Sequence, residues 1–225
     1  MKKTVLALAA AGLMLVPTQR AHALIGFGLN VGQDAYSFDS AVYTNLFLPN
    51  SGITLTRTAM ASPIGGGVYL FIDLFPFIDL EAGANLFFNT FDVGIDNPIS
   101  KQLGYSKELG WARTAGYLTI QRKLFKVPMF NIFAGAGLAF HATIPILDKA
   151  FAEEFLGDVN ATLEVDDLAD EVLQSTGFHV EVGARFKPLL IPFAVNVKFR
   201  QSFVKDIVPD ASSFSTITVG FGFQI

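Results

Sequence analysis

The sequence predicts an all-β protein, an up-and-down antiparallel β-barrel of eight strands that crosses a membrane. Three observations predict it. The chain is apolar, with a mean hydropathy of +0.44, yet after its first two dozen residues Asp, Asn, Gly or Arg interrupts every apolar run. None therefore approaches the roughly 20 residues of a spanning helix. Segments of about ten residues alternate apolar side chains with small or polar ones, the period-two pattern of a strand with unlike faces. Very short connections alternate with long ones. A hydrophobic chain without hydrophobic helices satisfies its backbone in lipid by closing strands into a ring.

Residues 1–23 have the layout of a secretory signal peptide. Met1-Lys2-Lys3 is basic, Val5 to Val16 is apolar, and Ala21-His22-Ala23 is a small-x-small cleavage site. Cleavage after Ala23 leaves residues 24–225 as one barrel domain, within the size range of single-domain barrels. A retained helical anchor is the other reading, for which the apolar run is short. The chain has no cysteine, which excludes disulfides, a thiolate nucleophile, Cys-ligated zinc and a lipid-bearing cysteine.

The crossings are expected at 24–33, 64–74, 77–88, 113–124, 130–141, 178–187, 193–202 and 214–225. Four show the pattern plainly. Ile78, Leu80, Ala82, Ala84 and Leu86 oppose Asp79, Glu81, Gly83 and Asn85. Phe130, Ile132, Ala134, Ala136, Leu138 and Phe140 oppose Asn131, Phe133, Gly135, Gly137, Ala139 and His141. Phe178, Val180, Val182, Ala184 and Phe186 oppose His179, Glu181, Gly183, Arg185 and Lys187. Phe193, Val195, Val197 and Phe199 oppose Ala194, Asn196, Lys198 and Arg200. Alternation alone does not say whether the apolar parity faces lipid or a water-excluded core.

The connections break that tie. Phe75-Pro76, Phe125 to Pro128 and Pro188 to Pro192 are short and carry proline, which ends a ladder to which it cannot donate. The intervening stretches, 34–62, 89–112, 142–175 and 205–213, are long. Short turns at one end and long loops at the other are the transmembrane arrangement. Stretches 41–48 and 53–60, joined by Pro49-Asn50-Ser51-Gly52, read as a hairpin extending the first loop; if both arms crossed, the barrel would have ten strands. Within 146–174, Leu147, Ala150, Phe151 and Phe155 stand at helical spacing, so the third loop is expected to be partly helical.

The chain ends Thr218-Val219-Gly220-Phe221-Gly222-Phe223-Gln224-Ile225. Here it resembles the small Gram-negative outer-membrane barrels, such as the transmembrane domain of outer membrane protein A and its eight-stranded relatives. Their last strand carries a polar-x-Gly-x-x-aromatic-x-hydrophobic assembly signal, matched by Thr218, Gly220, Phe223 and Ile225, with aliphatic Ile225 where those proteins usually end in Phe. The resemblance implies insertion into the bacterial outer membrane by the barrel-assembly machinery, with periplasmic turns and extracellular loops in contact with outer-membrane lipid and lipopolysaccharide.

Charge follows the same division. The four long stretches hold 16 acidic and 5 basic residues, and the strands and short turns 4 acidic and 8 basic. An acidic exterior repels polyanions, so nucleic acid is not an expected partner. Asp73, Asp79, Glu81 and Glu181 share the lumen parity with Arg113, Lys123, Arg185, Lys187, Lys198 and Arg200. An eight-stranded interior is just wide enough to be filled by side chains, and buried charges are costly unless paired. A salt-bridge network is expected, with Asp79 and Glu81 near Lys123; the functional version is a charge-selective path.

His141 and His179 are the only histidines after the signal. Both fall on the lumen parity beside the longest loop, where with Asp148, Glu153 or Glu154 they would form a metal or pH-sensing cluster; two rim histidines in a polar network are the plainer reading. Ser175 and Ser202 lie near them without a nucleophile motif, no pattern calls for a cofactor, and no enzymatic activity is expected. The expected role is structural or surface-interacting. The alternative is a narrow, porin-like pore or small hydrophobic-molecule conduit gated by 142–175.

Overall fold

Alternating strands of this kind close on themselves when each finds a neighbour on both sides. The computed structural model describes residues 24–46, 49–75, 77–96, 104–144, 172–188, 192–208 and 211–224. They form ten strands: β1 (Leu24–Asp34), β2 (Ala41–Thr44), β3 (Thr54–Arg57), β4 (Ile64–Phe75), β5 (Ile78–Asp96), β6 (Gly104–Val127), β7 (Phe130–Thr143), β8 (Leu173–Phe186), β9 (Phe193–Val208) and β10 (Ala211–Gln224). Eight of them make an antiparallel ring in the order β1-β4-β5-β6-β7-β8-β9-β10, closed where β10 pairs β1 from Gly26↔Gln224 to Asp34↔Thr216. Among the described residues each strand of the ring pairs on both sides, as a barrel in lipid requires.

The ten-strand alternative is overturned. β2 and β3 are four residues each, too short to cross, and β3 lies along the upper end of β5, from Thr54↔Asp96 to Arg57↔Val93. Their connection uses left-handed backbone at Asn45, Asn50 and Gly52, residues that tolerate it. Ser51 Oγ donates to the Leu46 carbonyl at 2.9 Å, and Leu46 N donates to Ile53 O at 3.2 Å.

The described parts of two expected loops are strand instead. Asn89–Asp96 pairs with Gly104–Trp111, so β5 and β6 rise together far beyond the other strands. Likewise β9 runs to Val208 and β10 begins at Ala211, with an irregularity at Asp206, whose φ is 62°. The expected helix in the third loop lies outside the described residues, since 145–171 are not among them.

The extension explains itself through parity. In the lower part of β5, Ala82, Leu86 and Phe88 face outward and are exposed, while Asp79, Glu81 and Asn85 point into the lumen and are buried. Above Phe88 the preference inverts: Phe91 and Val93 are buried inside, and Thr90, Asp92 and Asp96 are exposed. β6 inverts at the same height, with Leu109 and Trp111 buried, Glu108 exposed, and lower down Leu118 and Ile120 exposed over buried Thr119, Gln121 and Lys123. β9 follows, its Val204, Ile207 and Val208 turned inside.

The residues between β1 and β4 fold over the open upper mouth. Phe38 and Met60 bridge each other, and with Leu46, Ile53 and Leu55 they pack on Trp111, Leu109, Phe91, Ile207 and Phe214. Tyr36 wedges edge-on against Trp111 and Phe214, with centroids 5.8 and 5.3 Å apart. Each large apolar side chain fully withdrawn from water here contributes about 1.5–3 kcal/mol. Lower in the lumen, glycine makes room for aromatic rings: a Cβ on Gly28 or on Gly222 would lie 2.5 Å from the Tyr69 hydroxyl.

Candidate functional site

The lumen is where this chain concentrates its chemistry, and it is built in layers from the short-turn end upward. At the lowest layer Lys123, on β6, reaches Asp79 at 2.7 Å and Asp73 at 3.4 Å. Arg185, on β8, donates to Asp79 at 3.3 Å, its guanidinium lying over the rings of Phe71 and Phe133 at 4.4 and 5.4 Å. In the next layer Glu81 is held by Lys198 and accepts from Gln121 at 2.9 Å, while Gln121 also donates to Glu181 at 2.7 Å. Arg200 donates through Nε and Nη2 to one oxygen of Glu181, at 3.0 and 2.7 Å, and lies 3.7 Å from the centre of the Tyr117 ring.

Tyr117 then separates the two histidines. Its ring meets His179 edge-on at 5.2 Å and His141 at 5.6 Å. Above them Arg113, fully buried, donates to Asp34 through Nε at 3.1 Å and Nη2 at 2.5 Å, and through Nη1 to His141 Nδ1 at 2.7 Å. The rings of Phe87 and Phe214 flank its guanidinium at 4.7 and 4.8 Å, and Thr216 donates to the other Asp34 oxygen at 2.6 Å. The apolar cap lies directly above.

Five carboxylates, Asp34, Asp73, Asp79, Glu81 and Glu181, thus meet five cations, Arg113, Lys123, Arg185, Lys198 and Arg200. Four of those cations also lie against an aromatic ring, Lys198 over Tyr69 at 4.8 Å. Such desolvated pairs hold each other in place: removing one member leaves an uncompensated buried charge, at about 3–5 kcal/mol.

Several expected placements are corrected. Glu81 is not held by Lys123, because its register partner on β6 is Thr119, and it reaches across the lumen to Lys198. Lys187 lies just beyond β8 and lines the lower mouth. The histidines do not face each other. His179 is opposite Gly137 and His141 opposite Ser175, four residues apart along the ladder, with the Tyr117 ring between them. His141 Nδ1 accepts from a guanidinium, which always donates, and His179 Nε2 lies 2.9 Å from Thr119 Oγ1. Among the described residues no cluster of His, Asp and Glu could hold a metal, and Asp148, Glu153 and Glu154 lie outside them.

Of the terminal motif, Thr218 and Gly220 are buried on the lumen face and Phe223 is exposed outside, while Ile225 is beyond the described residues. A Cβ on Gly220 would come within 2.7 Å of the Asn196 amide, which donates to the Tyr69 hydroxyl at 2.7 Å. The sequence reading missed Asp34, assigning it to a loop. It continues the inward parity of Gly26, Gly28, Asn30 and Gly32, and that parity was the available signal. Gln121, Tyr69 and Tyr117 were missed because neutral side chains on a lumen parity carry no charge to flag them.

A closed antiparallel ring of eight strands, apolar outside and ion-paired inside, defines the class of small outer-membrane-type β-barrels. Solved structures similar to the chain include Ail, the attachment invasion locus protein of Yersinia pestis, at 10% identity and a TM-score of 0.46 over 89% of this chain and 99% of that one. The N-terminal β-barrel domain of Pseudomonas aeruginosa OprF is similar at 10% identity and 0.46, over 90% and 98%. The outer membrane protein OprG of Pseudomonas aeruginosa is similar at 14% and 0.44, over 90% and 94%. No protein-family model and no curated protein matches the chain.

Proposed function

We propose that the chain is a non-enzymatic integral protein of the bacterial outer membrane, exported with residues 1–23 as a signal cleaved after Ala23 and inserted by the barrel-assembly machinery. It serves as a sealed barrel that carries a folded platform and acidic loops above the bilayer, among lipopolysaccharide and other surface components. The supporting observation is the filled lumen: five carboxylates paired with five cations, roofed by the apolar cap. A path for ions or small hydrophobic molecules would require these layers to part. Nothing in their charge balance favours one sign of ion.

Planar-bilayer recording of the purified protein tests this reading. The expected trace has no steady unitary current, in wild type or after Lys198→Gln. A stable unitary current whose size changes on that substitution overturns the sealed barrel in favour of the pore.

A further inference from the structure

A cavity of about 330 Å³ opens at the short-turn mouth, below the lowest ion pairs and unused by the reading above. Lys123, Lys126, Arg185 and Lys187 line it, against one lining carboxylate, Asp73. Asp73 and Asp79 are both engaged by Lys123, and Asp79 also by Arg185; the described lining is thus rich in cationic side chains. The Val127–Phe130 turn and Pro188 supply an apolar wall.

Two polar groups on the lining point to what fits. Arg185 is only 3% exposed, yet its Nε–H has no acceptor among the described residues, although stacking on Phe71 and Phe133 fixes the guanidinium plane. Opposite it in the β7–β8 register is Asn131, whose buried Oδ1 likewise has no donor. A buried N–H left without an acceptor is costly, as is a buried amide oxygen without a donor. A ligand that accepts from the guanidinium and lysines and donates one hydroxyl to the amide satisfies both.

We propose that this vestibule binds a phosphate group bearing a hydroxyl, the chemistry of a hydrogen-phosphate or phosphate monoester and also of a glycerol-phosphate lipid headgroup. Arg185 offers the oxyanion its Nε–H, its Nη1 donating to Asp79 and its Nη2 to Gln121, and the lysines supply point charges at the rim. The volume holds about ten waters at roughly 30 Å³ each, enough for one such group. Both sources are geometrically open, since the mouth faces the solvent at the level of the short turns.

The test is calorimetric titration of the full-length mature chain, folded in an uncharged maltoside detergent, with inorganic phosphate. Saturable one-to-one binding in the millimolar range or tighter is expected, weakened by about tenfold or more in Lys126→Gln/Lys187→Gln, as loss of charge-assisted bonds implies. Lys107→Gln, at the other end of the barrel, serves as control and leaves affinity unchanged. Heat-modifiable gel migration verifies that each variant is folded. Repeating the titration in vesicles with and without phosphatidylglycerol separates the sources: a headgroup occupant lowers apparent phosphate affinity only where that lipid is present, and a soluble occupant leaves it equal. Absence of saturable heat in wild type, or equal binding by the folded double variant, overturns the proposal. Neither result bears on whether the lumen conducts.

Discussion

Below Phe88 the barrel is built inside out, and above it the same strands are built like a water-soluble protein. In the lower half Leu118 and Ile120 are exposed while Glu81, Arg185 and Lys198 are buried; in the upper half Trp111, Leu109 and Val93 are buried while Thr90, Asp92 and Glu108 are exposed. The backbone runs through the boundary without a break, since β5 and β6 pair continuously from Ile78↔Arg122 to Asp96↔Gly104. One ladder therefore serves two solvents. What changes is only which parity carries the apolar side chains, because lipid accepts them outside and water does not.

Arg113 sits at the join, and the largest effect is expected there. Arg113→Met strands Asp34 as a buried charge and is expected to cost about 3–5 kcal/mol, read by urea unfolding in lipid vesicles. Asp34→Leu/Arg113→Met recovers most of that loss, since replacing both partners by apolar groups is nearly neutral; failure to recover would show that the pair specifies the join rather than merely filling it.

Trp111→Ala removes the centre of the upper core and is expected to cost about 3–5 kcal/mol in that half. Hydrogen exchange should then rise across residues 35–63 and leave β7 and β8 protected. Uniform loss of protection would mean that the two halves open as one unit.

The boundary itself is checked by placing the same charge on the same parity at two heights. Leu118→Arg, in the lipid-facing band, is expected to cost about 2–4 kcal/mol, and Thr90→Arg, above it, within about 0.5 kcal/mol. Equal costs would move the boundary. Between these lies Gly28→Val, where the added side chain meets the Tyr69 ring and the Phe221 carbonyl. Overpacking of this kind is expected to cost about 1–3 kcal/mol, measured as a lower unfolding midpoint with the barrel still heat-modifiable.

The lower half was legible because its two faces differ in kind: Phe178, Val180 and Val182 against His179, Glu181 and Arg185 leave little doubt about register. The upper half was not. Residues 89–96 and 104–112 alternate too, but with parity reversed, and a reading tuned to apolar-outside strands takes the reversal for the end of the strand. Asp34 was lost to the same boundary effect by one residue. The across-barrel partners, Glu81 with Lys198 and Arg113 with Asp34, depend on which strands face each other through the lumen, and spacing along the chain does not encode that. His141 and His179 share a parity, yet the β7–β8 register sets them apart, and register is fixed by closure of the whole ring.

The reversal at Phe88 also acts as a ruler. From Ile78 to Phe88 on β5 the lipid-facing band runs eleven residues, ten steps of about 3.3 Å, which at a tilt of roughly 40° gives a hydrophobic thickness of about 25 Å. That is thinner than the about 30 Å of an average bilayer. The barrel should therefore insert and refold more readily in short-chain lipids than in long-chain ones, its stability falling by fractions of a kcal/mol for each ångström of excess.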